Sequence, residues 1–116
     1  MKTALLAFDS KQFNLILSQM LNDLGFLVIE ARSFENAVMQ CCEKQPNVML
    51  TDWFFDGQNV RDLFEKVAPF NEIVLISDKN TSSAIQMALN LGVKEYIMKP
   101  FDSDSLQNKL AMLELI

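Results

Sequence analysis

Side chains that could carry chemistry stand at the ends of several short apolar runs. Asp9 follows the run ALLAF and Asp52 follows VMLT, while Ser77 and Lys99 come after two later runs. Carboxylate oxygens suit a hard divalent cation such as Mg²⁺, which prefers a few protein oxygens together with water and phosphate. If Asp52 attacks a phosphoryl donor, the cation, Lys99 and the Ser77 hydroxyl can each meet an oxygen of the resulting aspartyl phosphate. This chemistry requires the four side chains to converge.

The elements that would bring them together are five predicted strands separated by stretches of helical period. The first helical stretch has apolar residues from Phe13 to Leu24 at spacings of three and four, followed by Gly25 as a stop signal. The predicted strands are residues 4–8, 27–31, 48–51, 73–76 and 95–98. The four later helical stretches each have a stripe of apolar residues predicted to face the core, called the inward stripes: Phe34, Ala37, Val38 and Cys41; Val60, Leu63, Phe64 and Val67; Ile85, Ala88 and Leu89; and Leu106, Leu110 and Leu113.

The pattern of the strands predicts the fold class. Strands that are apolar without alternation are buried on both faces, and a helix between each pair suits right-handed crossovers in a parallel sheet. We therefore expect an α/β protein, a doubly wound, flavodoxin-like (βα)5 sandwich with a five-stranded parallel sheet. Ligands of such sheets bind beyond the carboxyl ends of the strands, which is where the reactive side chains stand.

Composition limits the function classes. The 116 residues, half of them hydrophobic, fit one domain spanning residues 1–116. The net charge is −5 and the basic residues are scattered, so we expect no direct contact with nucleic acid. No apolar run approaches the roughly 20 residues of a membrane span, and Asp9 comes too early for a secretory signal, so we expect a cytoplasmic protein without membrane contact. The chain has no histidine, which excludes imidazole catalysis, and we expect no enzyme. The adjacent Cys41 and Cys42 make no metal or redox motif and are predicted to be core thiols.

Three segments carry a resemblance to a known family. TDWFFDG, VLIS and EYIMKPF resemble the motifs of bacterial response regulator receiver domains, and the resemblance runs from about residue 3 to the C-terminus. It implies that Asp52 is the phosphoacceptor, that Lys99 is the catalytic lysine, and that Ser77 and Tyr96 are the switch residues. The lysine–proline pair of such domains commonly has a cis peptide bond.

The resemblance also implies a metal site and partners. The acidic pair of the family falls at Phe8 and Asp9, which leaves Asp9 and Asp52, with the backbone carbonyl of Phe54, as ligands of a Mg²⁺ ion. The implied partners are a histidine kinase or phosphotransfer protein and an output domain or partner protein, which would read a surface on helix four, strand five and helix five. Apolar residues outside the inward stripes would mark a partner or homodimer surface there if they were contiguous; they are Met87, Leu91, Met112, Leu115 and Ile116.

Several positions depart from the family pattern. Phe8 replaces an acid that usually helps to hold the water shell of the metal, so we expect weaker Mg²⁺ binding. The segment FFDG is shorter than the usual loop after the acceptor. Asp78 stands where a small residue is usual; its charge would either repel the incoming phosphoryl group or partly replace the acid missing at Phe8.

These departures leave two functions open. The first is a phosphorylatable receiver domain, and the second is a pseudo-receiver that acts as a phosphorylation-independent protein-binding module. A flavin or nucleotide binder of the same fold would need a phosphate-binding loop after the first strand, and DSKQFN offers none.

Overall fold

The protein consists of a parallel sheet with helices on both faces. The computed structural model describes residues 2–67 and 72–116. The strands are β1 (Lys2–Ala7), β2 (Phe26–Glu30), β3 (Val48–Thr51), β4 (Ile73–Ser77) and β5 (Glu95–Met98). The helices are α1 (Lys11–Asp23), α2 (Phe34–Lys44), α3 (Val60–Lys66), α4 (Ser82–Leu91) and α5 (Ser103–Met112). A short antiparallel pair, Phe54–Phe55 with Gln58–Asn59, follows β3 and is called the site hairpin below.

The sheet has the order β2-β1-β3-β4-β5, with every neighbouring pair parallel. The predicted doubly wound fold with a five-stranded parallel sheet is therefore confirmed. The register aligns the carboxyl ends of the central strands, since Ala7 pairs with Thr51 and Thr51 pairs with Leu75. At the next pair Ser77 lies opposite Met98. Residues that follow these strands therefore emerge at one edge of the sheet.

Two apolar clusters hold the helices to the sheet. One face is covered by α1 and α5, and the other by α2, α3 and α4. The four described residues of β3 and all five of β4 are buried, as predicted. The edge strands differ, because Leu27 of β2 and Met98 of β5 are exposed. Burial on both faces thus applies to the middle of the sheet, where helices and neighbouring strands cover each residue.

The inward stripes were predicted well in their centres and less well at their margins. In α1 the buried residues are Asn14, Leu17 and Leu21, whereas Ile16, which was predicted to face inward, is 46 % exposed. Ile16 precedes Leu17, so it points about 100° away from the centre of the stripe. Leu89 of α4 is likewise exposed, contrary to the prediction.

Two residues assigned to the surface by the sequence are covered instead. Leu91 packs against the core, and Leu115 is buried. Leu115 returns to the core because Glu114 adopts a left-handed conformation and the Leu115 N–H donates to the carbonyl of Leu110, which reverses the chain after α5.

The two cysteines differ in their surroundings. Cys41 is buried in the core, and burial, with Cys42 adding a smaller effect, raises the pKa of its thiol to about 11. Cys42 is exposed, so the prediction that both are core thiols was wrong for Cys42, which faces away from the sheet one position along α2. No helix in residues 2–67 and 72–116 has the length and apolar character needed to cross a membrane.

Candidate functional site

The carboxyl edge of the sheet brings Asp52 and Lys99 together. Asp52 directly follows β3, and Lys99 directly follows β5. The Nζ atom of Lys99 lies 3.6 Å from Oδ2 of Asp52, and the two side chains are 31 % and 29 % exposed. The N–H of Lys99 also donates to the carbonyl of Ser77 at 2.8 Å, which ties the ends of β4 and β5. The Lys99–Pro100 peptide bond is cis, as the resemblance implied.

The second carboxylate oxygen of Asp52 is engaged by its own neighbour. The N–H of Trp53 donates to Oδ1 of Asp52 at 2.6 Å. Asp52 therefore offers one oxygen to the backbone and turns the other toward the ammonium of Lys99. Since both side chains are about one third exposed, their ion pair adds little to stability, and its value lies in orienting the carboxylate.

Asp9, which follows β1, is tied to the site hairpin. Its Oδ1 accepts a hydrogen bond from the N–H of Asp56 at 2.9 Å. Oδ2 of Asp56 in turn accepts from the N–H of Phe34, the first residue of α2, also at 2.9 Å. One aspartate of the hairpin thus connects the end of β1 to the start of α2.

The site hairpin replaces the longer loop expected after the acceptor. Asp56 and Gly57 both have positive φ angles, 54° and 76°, and connect the two strands as a two-residue turn. An Asp-Gly pair between short strands is a strong hairpin signal, because a type I′ turn needs positive φ at both central positions. The sequence contained this signal, and our interpretation of FFDG as a shortened loop overlooked it.

The register of the hairpin determines whether the opposite strand uses the carbonyl of Phe54, which is a predicted metal ligand. Phe54 lies opposite Asn59, and in the adjacent pair the N–H of Val60 donates to the carbonyl of Trp53 at 2.9 Å. Antiparallel pairs alternate between hydrogen-bonded and non-hydrogen-bonded positions, so the Phe54 carbonyl is not used by the opposite strand. The Phe54 side chain is 54 % exposed.

The predicted donor set is chemically suited to a hard divalent cation. It combines two carboxylates, Asp9 and Asp52, with the carbonyl of Phe54, so all donors are oxygens. In the described parts of the chain, Oδ2 of Asp9 takes part in no hydrogen bond. The same residues contain no group of three or more acidic, histidine or cysteine side chains that could hold a metal ion. Two carboxylates, a carbonyl and water would complete the coordination of Mg²⁺, which usually keeps several waters.

Phe8 belongs to an aromatic cluster beside the site. It is buried, and its ring meets that of Phe13 edge to face, with centroids 4.8 Å apart. Phe13 also contacts the ring of Phe101, at 6.2 Å. The ammonium of Lys99 lies 4.3 Å from the centroid of Phe13 and 5.9 Å from that of Phe8. Sequence reasoning counted Phe13 only as a core residue of α1 and missed its contact with Lys99.

The predicted switch residues share a hydrogen-bonded network with Trp53. Tyr96 is buried, and its hydroxyl donates to the carbonyl of Lys79 at 2.7 Å and accepts from Nε1 of Trp53 at 3.1 Å. The N–H of Lys79 donates to Oγ of Ser77 at 3.1 Å. Ser77 and Tyr96 are therefore linked through one residue of the loop after β4. Asp78, in the same loop, has an exposed side chain.

Comparison with known proteins places the chain in a family. Residues 4–111 match the family model of the response regulator receiver domain. The chain belongs to this family. Chemotaxis protein CheY1 of Helicobacter pylori strain J99 is 30 % identical over 112 residues, which are 90 % of each protein. Among solved structures, chemotaxis protein CheY4 of Vibrio cholerae has a TM-score of 0.85 at 18 % identity, covering 100 % of this chain and 99 % of that one.

Other relatives of this receiver domain are longer. The nitrogen assimilation regulatory protein NtrX of Azorhizobium caulinodans is 25 % identical over 107 residues, which are 88 % of this chain and 24 % of that protein. The chain thus spans about a quarter of the length of that relative. Receiver domains are regulatory modules of two-component signal transduction; they interact with histidine kinases or phosphotransfer proteins and with output domains, and they generally bind Mg²⁺ at an acidic site.

Proposed function

We propose that residues 1–116 form one receiver domain in which Asp52 accepts a phosphoryl group from a histidine kinase or phosphotransfer protein. The observation that supports this most is the approach of the Lys99 ammonium to within 3.6 Å of Oδ2 of Asp52 at the carboxyl edge of the sheet. Asp9, the second acid of the proposed site, lies after the neighbouring strand. A nucleophile, a cation and a second carboxylate at one edge suit phosphoryl transfer better than any other reaction of these groups.

In the proposed reaction a carboxylate oxygen of Asp52 attacks the phosphorus of the donor. The new O–P bond forms as the bond from phosphorus to the leaving atom breaks, which is an imidazole nitrogen in a phosphohistidine or a carboxylate oxygen in acetyl phosphate. The leaving group keeps the electron pair, and an imidazole then takes a proton from water. The Lys99 ammonium balances charge on the transferred group. Oγ of Ser77 accepts from Lys79, so its own proton remains for a phosphoryl oxygen.

The proposed cofactor is Mg²⁺, held by Asp9, Asp52 and the carbonyl of Phe54. When bound, the ion would neutralise charge on the phosphoryl oxygens during transfer. Phe8 offers an apolar ring where the family usually has an acid, so we expect the affinity for Mg²⁺ to be low. Asp9 contributes through Oδ2, because Oδ1 already accepts from the N–H of Asp56.

Incubation with acetyl phosphate and millimolar Mg²⁺, followed by intact mass spectrometry, tests this proposal. We expect one added phosphoryl group in the parent and none in Asp52→Asn, which keeps the side-chain shape and removes the nucleophile. The fluorescence of Trp53, the only tryptophan, should respond to Mg²⁺ and to beryllofluoride because Trp53 adjoins Asp52 and its backbone N–H donates to Oδ1 of that acceptor. No mass change in the parent, together with an unchanged fluorescence signal, would contradict phosphorylation.

A second candidate is the pseudo-receiver, a protein-binding module that works without phosphorylation. Two observations favour it: the buried ring of Phe8 at the acidic position, and the prior engagement of Asp9 by the hairpin. A partner whose affinity is the same for the parent and Asp52→Asn, with and without acetyl phosphate, would select this function. A change in affinity only in the phosphorylated parent would select the first.

The output surface is proposed on α4, β5 and α5. Exposed methionines lie on each of these elements, with Met87 52 %, Met98 47 % and Met112 70 % exposed. We propose that this face binds an output domain or partner protein, or a second copy of the chain, when Tyr96 and Ser77 change position. Sedimentation of the parent with and without beryllofluoride tests the homodimer. The net charge of −5 favours protein partners over direct contact with nucleic acid.

A further inference from the structure

We propose that Phe13 is a positioning residue for Lys99: the face of its ring holds the ammonium beside Asp52. The inference rests on the proposed role of Asp52 as acceptor, which gives the position of Lys99 its importance. It concerns a residue of α1 that the motifs of the sequence do not include. The ring acts on the reaction only through Lys99.

The position of the ammonium carries the inference. Nζ of Lys99 lies 4.3 Å from the centroid of Phe13 and 5.9 Å from that of Phe8. Both distances lie within the roughly 6 Å at which a ring face attracts a cation, and Phe13 is the nearer ring. The Lys99 side chain is 31 % exposed, so it is partly removed from the water that would otherwise weaken the contact.

The ring itself is held in place from two sides. Phe8 meets it edge to face at 4.8 Å with an interplanar angle of 68°, and Phe101 meets it at 6.2 Å with an angle of 79°. Both arrangements are favourable for aromatic pairs. Phe8 is buried, which fixes it as a support. The face that Phe13 offers to Lys99 is therefore set by the packing of α1 against the segments that follow β1 and β5.

Lys99 needs such a second contact, because its distance to Asp52 is too long for a direct hydrogen bond. The 3.6 Å between Nζ and Oδ2 exceeds the usual 2.7–3.2 Å of an N–H···O bond. A lysine is a point charge on a flexible four-carbon stem, so Coulomb attraction alone does not fix its direction. The ring of Phe13 supplies a second contact that limits where the ammonium can lie.

A neutral ring also differs from an acid in its effect on the reaction. A second carboxylate beside Lys99 would compete with the phosphoryl oxygens for the ammonium and would repel them. A phenyl ring attracts the ammonium through its quadrupole and adds no net charge. Phe8 and Phe13 thus orient Lys99 in this chain while leaving its full charge for the transferred group.

Proton NMR of ¹³Cε-labelled lysine tests the position of Lys99 without metal or phosphodonor. The Lys99 signal is assigned by its loss in Lys99→Arg. Because Nζ lies over the ring of Phe13, we expect an upfield shift of the adjacent Hε protons in the parent. We expect this shift to disappear in Phe13→Leu and to persist in the control Phe64→Leu, which removes a ring that packs on the other face of the sheet. An unchanged shift in Phe13→Leu, or equal losses in both variants, would overturn the proposal.

Fluorinated phenylalanines at position 13 separate the attraction of the ring from its shape. Each added fluorine weakens the attraction for a cation while the packing with Phe8 is kept, so this series also serves if Phe13→Leu fails to fold. We expect the Lys99 signal to move stepwise toward that of a free lysine, and the rate with acetyl phosphate to fall by roughly twofold to tenfold over the series. The same series at position 101 should change neither quantity.

The outcomes distinguish this inference from the proposed function. A parent that is not phosphorylated contradicts the role of Asp52, while the NMR shifts still decide whether Phe13 holds Lys99. If the parent is phosphorylated but fluorination of Phe13 changes neither the Lys99 signal nor the rate of phosphorylation, the inference is contradicted and the proposed function is left intact.

Discussion

The hydroxyl of Tyr96 is expected to stabilise the domain through two hydrogen bonds, of which the one to Trp53 is buried. Tyr96→Phe removes the donor to the Lys79 carbonyl and the acceptor for Nε1 of Trp53. Tyr96 and Trp53 are 6 % and 7 % exposed, so water does not readily replace the lost partner of the indole. An unsatisfied buried donor costs about 1–3 kcal/mol, whereas the Lys79 carbonyl lies in an exposed loop and can be rehydrated. We expect Tyr96→Phe to lower the free energy of unfolding by about 2 kcal/mol.

The contribution of the indole can be isolated in a double-mutant cycle with Trp53→Phe. In a Trp53→Phe background no indole is left unpaired, so Tyr96→Phe should cost only the bond to Lys79, about 1 kcal/mol. The expected coupling energy between the two substitutions is therefore about 1 kcal/mol. The smaller ring at position 53 leaves a cavity, but its cost is common to both variants that carry Trp53→Phe and cancels in the cycle.

Urea unfolding of the four proteins, followed by far-ultraviolet circular dichroism, measures this coupling. Circular dichroism is required because Trp53→Phe removes the only tryptophan and with it the fluorescence signal. Equal m-values across the four proteins would show that the substitutions act on the folded state. A coupling energy below about 0.3 kcal/mol would mean that the two sites are independent, and it would refute the direct bond between Trp53 and Tyr96.

The structure supports three further predictions, two for substitutions and one for chemical labelling. Asp52→Asn should abolish phosphorylation while changing the free energy of unfolding by less than about 1 kcal/mol, because the ion pair that it breaks is about one third exposed; a larger loss measured in urea would contradict this. Asp78→Ala should accelerate phosphorylation by at most about fivefold, because water screens the repulsion between the exposed Asp78 carboxylate and the phosphoryl group. Slower initial rates at every Mg²⁺ concentration would show instead that Asp78 supports the metal. At mildly alkaline pH a thiol reagent should modify Cys42 alone in the folded protein and both cysteines in denaturant, because Cys41 is buried and its pKa is raised to about 11. Two rapid modifications of the folded chain, measured by mass spectrometry, would contradict the burial of Cys41.

The sequence was sufficient for the sheet because its signals there are strong and local. The apolar runs without alternation predicted the parallel strands, and the stop signals Gly25 and Gly92 follow α1 and α4 in the structure. Residues directly after a strand are placed by the strand itself, so the approach of Lys99 to Asp52 followed from reading the strand ends. Errors of one residue in the predicted strand boundaries did not change the predicted site, because each reactive residue lies at or beyond the last residue of its strand that pairs with a neighbouring strand.

The contacts between side chains could not be predicted in the same way. Phe13 fits the apolar period of α1, and nothing in that period shows that its face lies over Lys99 rather than against the sheet. The hydrogen bond from Trp53 to Tyr96 joins residues 43 positions apart and depends on the rotamers of two large rings. Such contacts are decided by tertiary packing, which a single sequence does not reveal.

The turn of the site hairpin joins Asp9 to the start of α2, a connection that the sequence analysis did not include. Asp56 donates its N–H to Asp9 and accepts, through its own carboxylate, the N–H of Phe34 at the start of α2. Asp9 is thereby oriented by a backbone group before any ligand arrives, and only one of its oxygens remains available. A longer loop would have to order itself when a ligand binds, whereas a two-residue turn with both positive φ angles already occupied is ordered in advance. The short FFDG segment therefore contacts Asp9 and the start of α2 together, and it orients Asp9 through a backbone group of the turn.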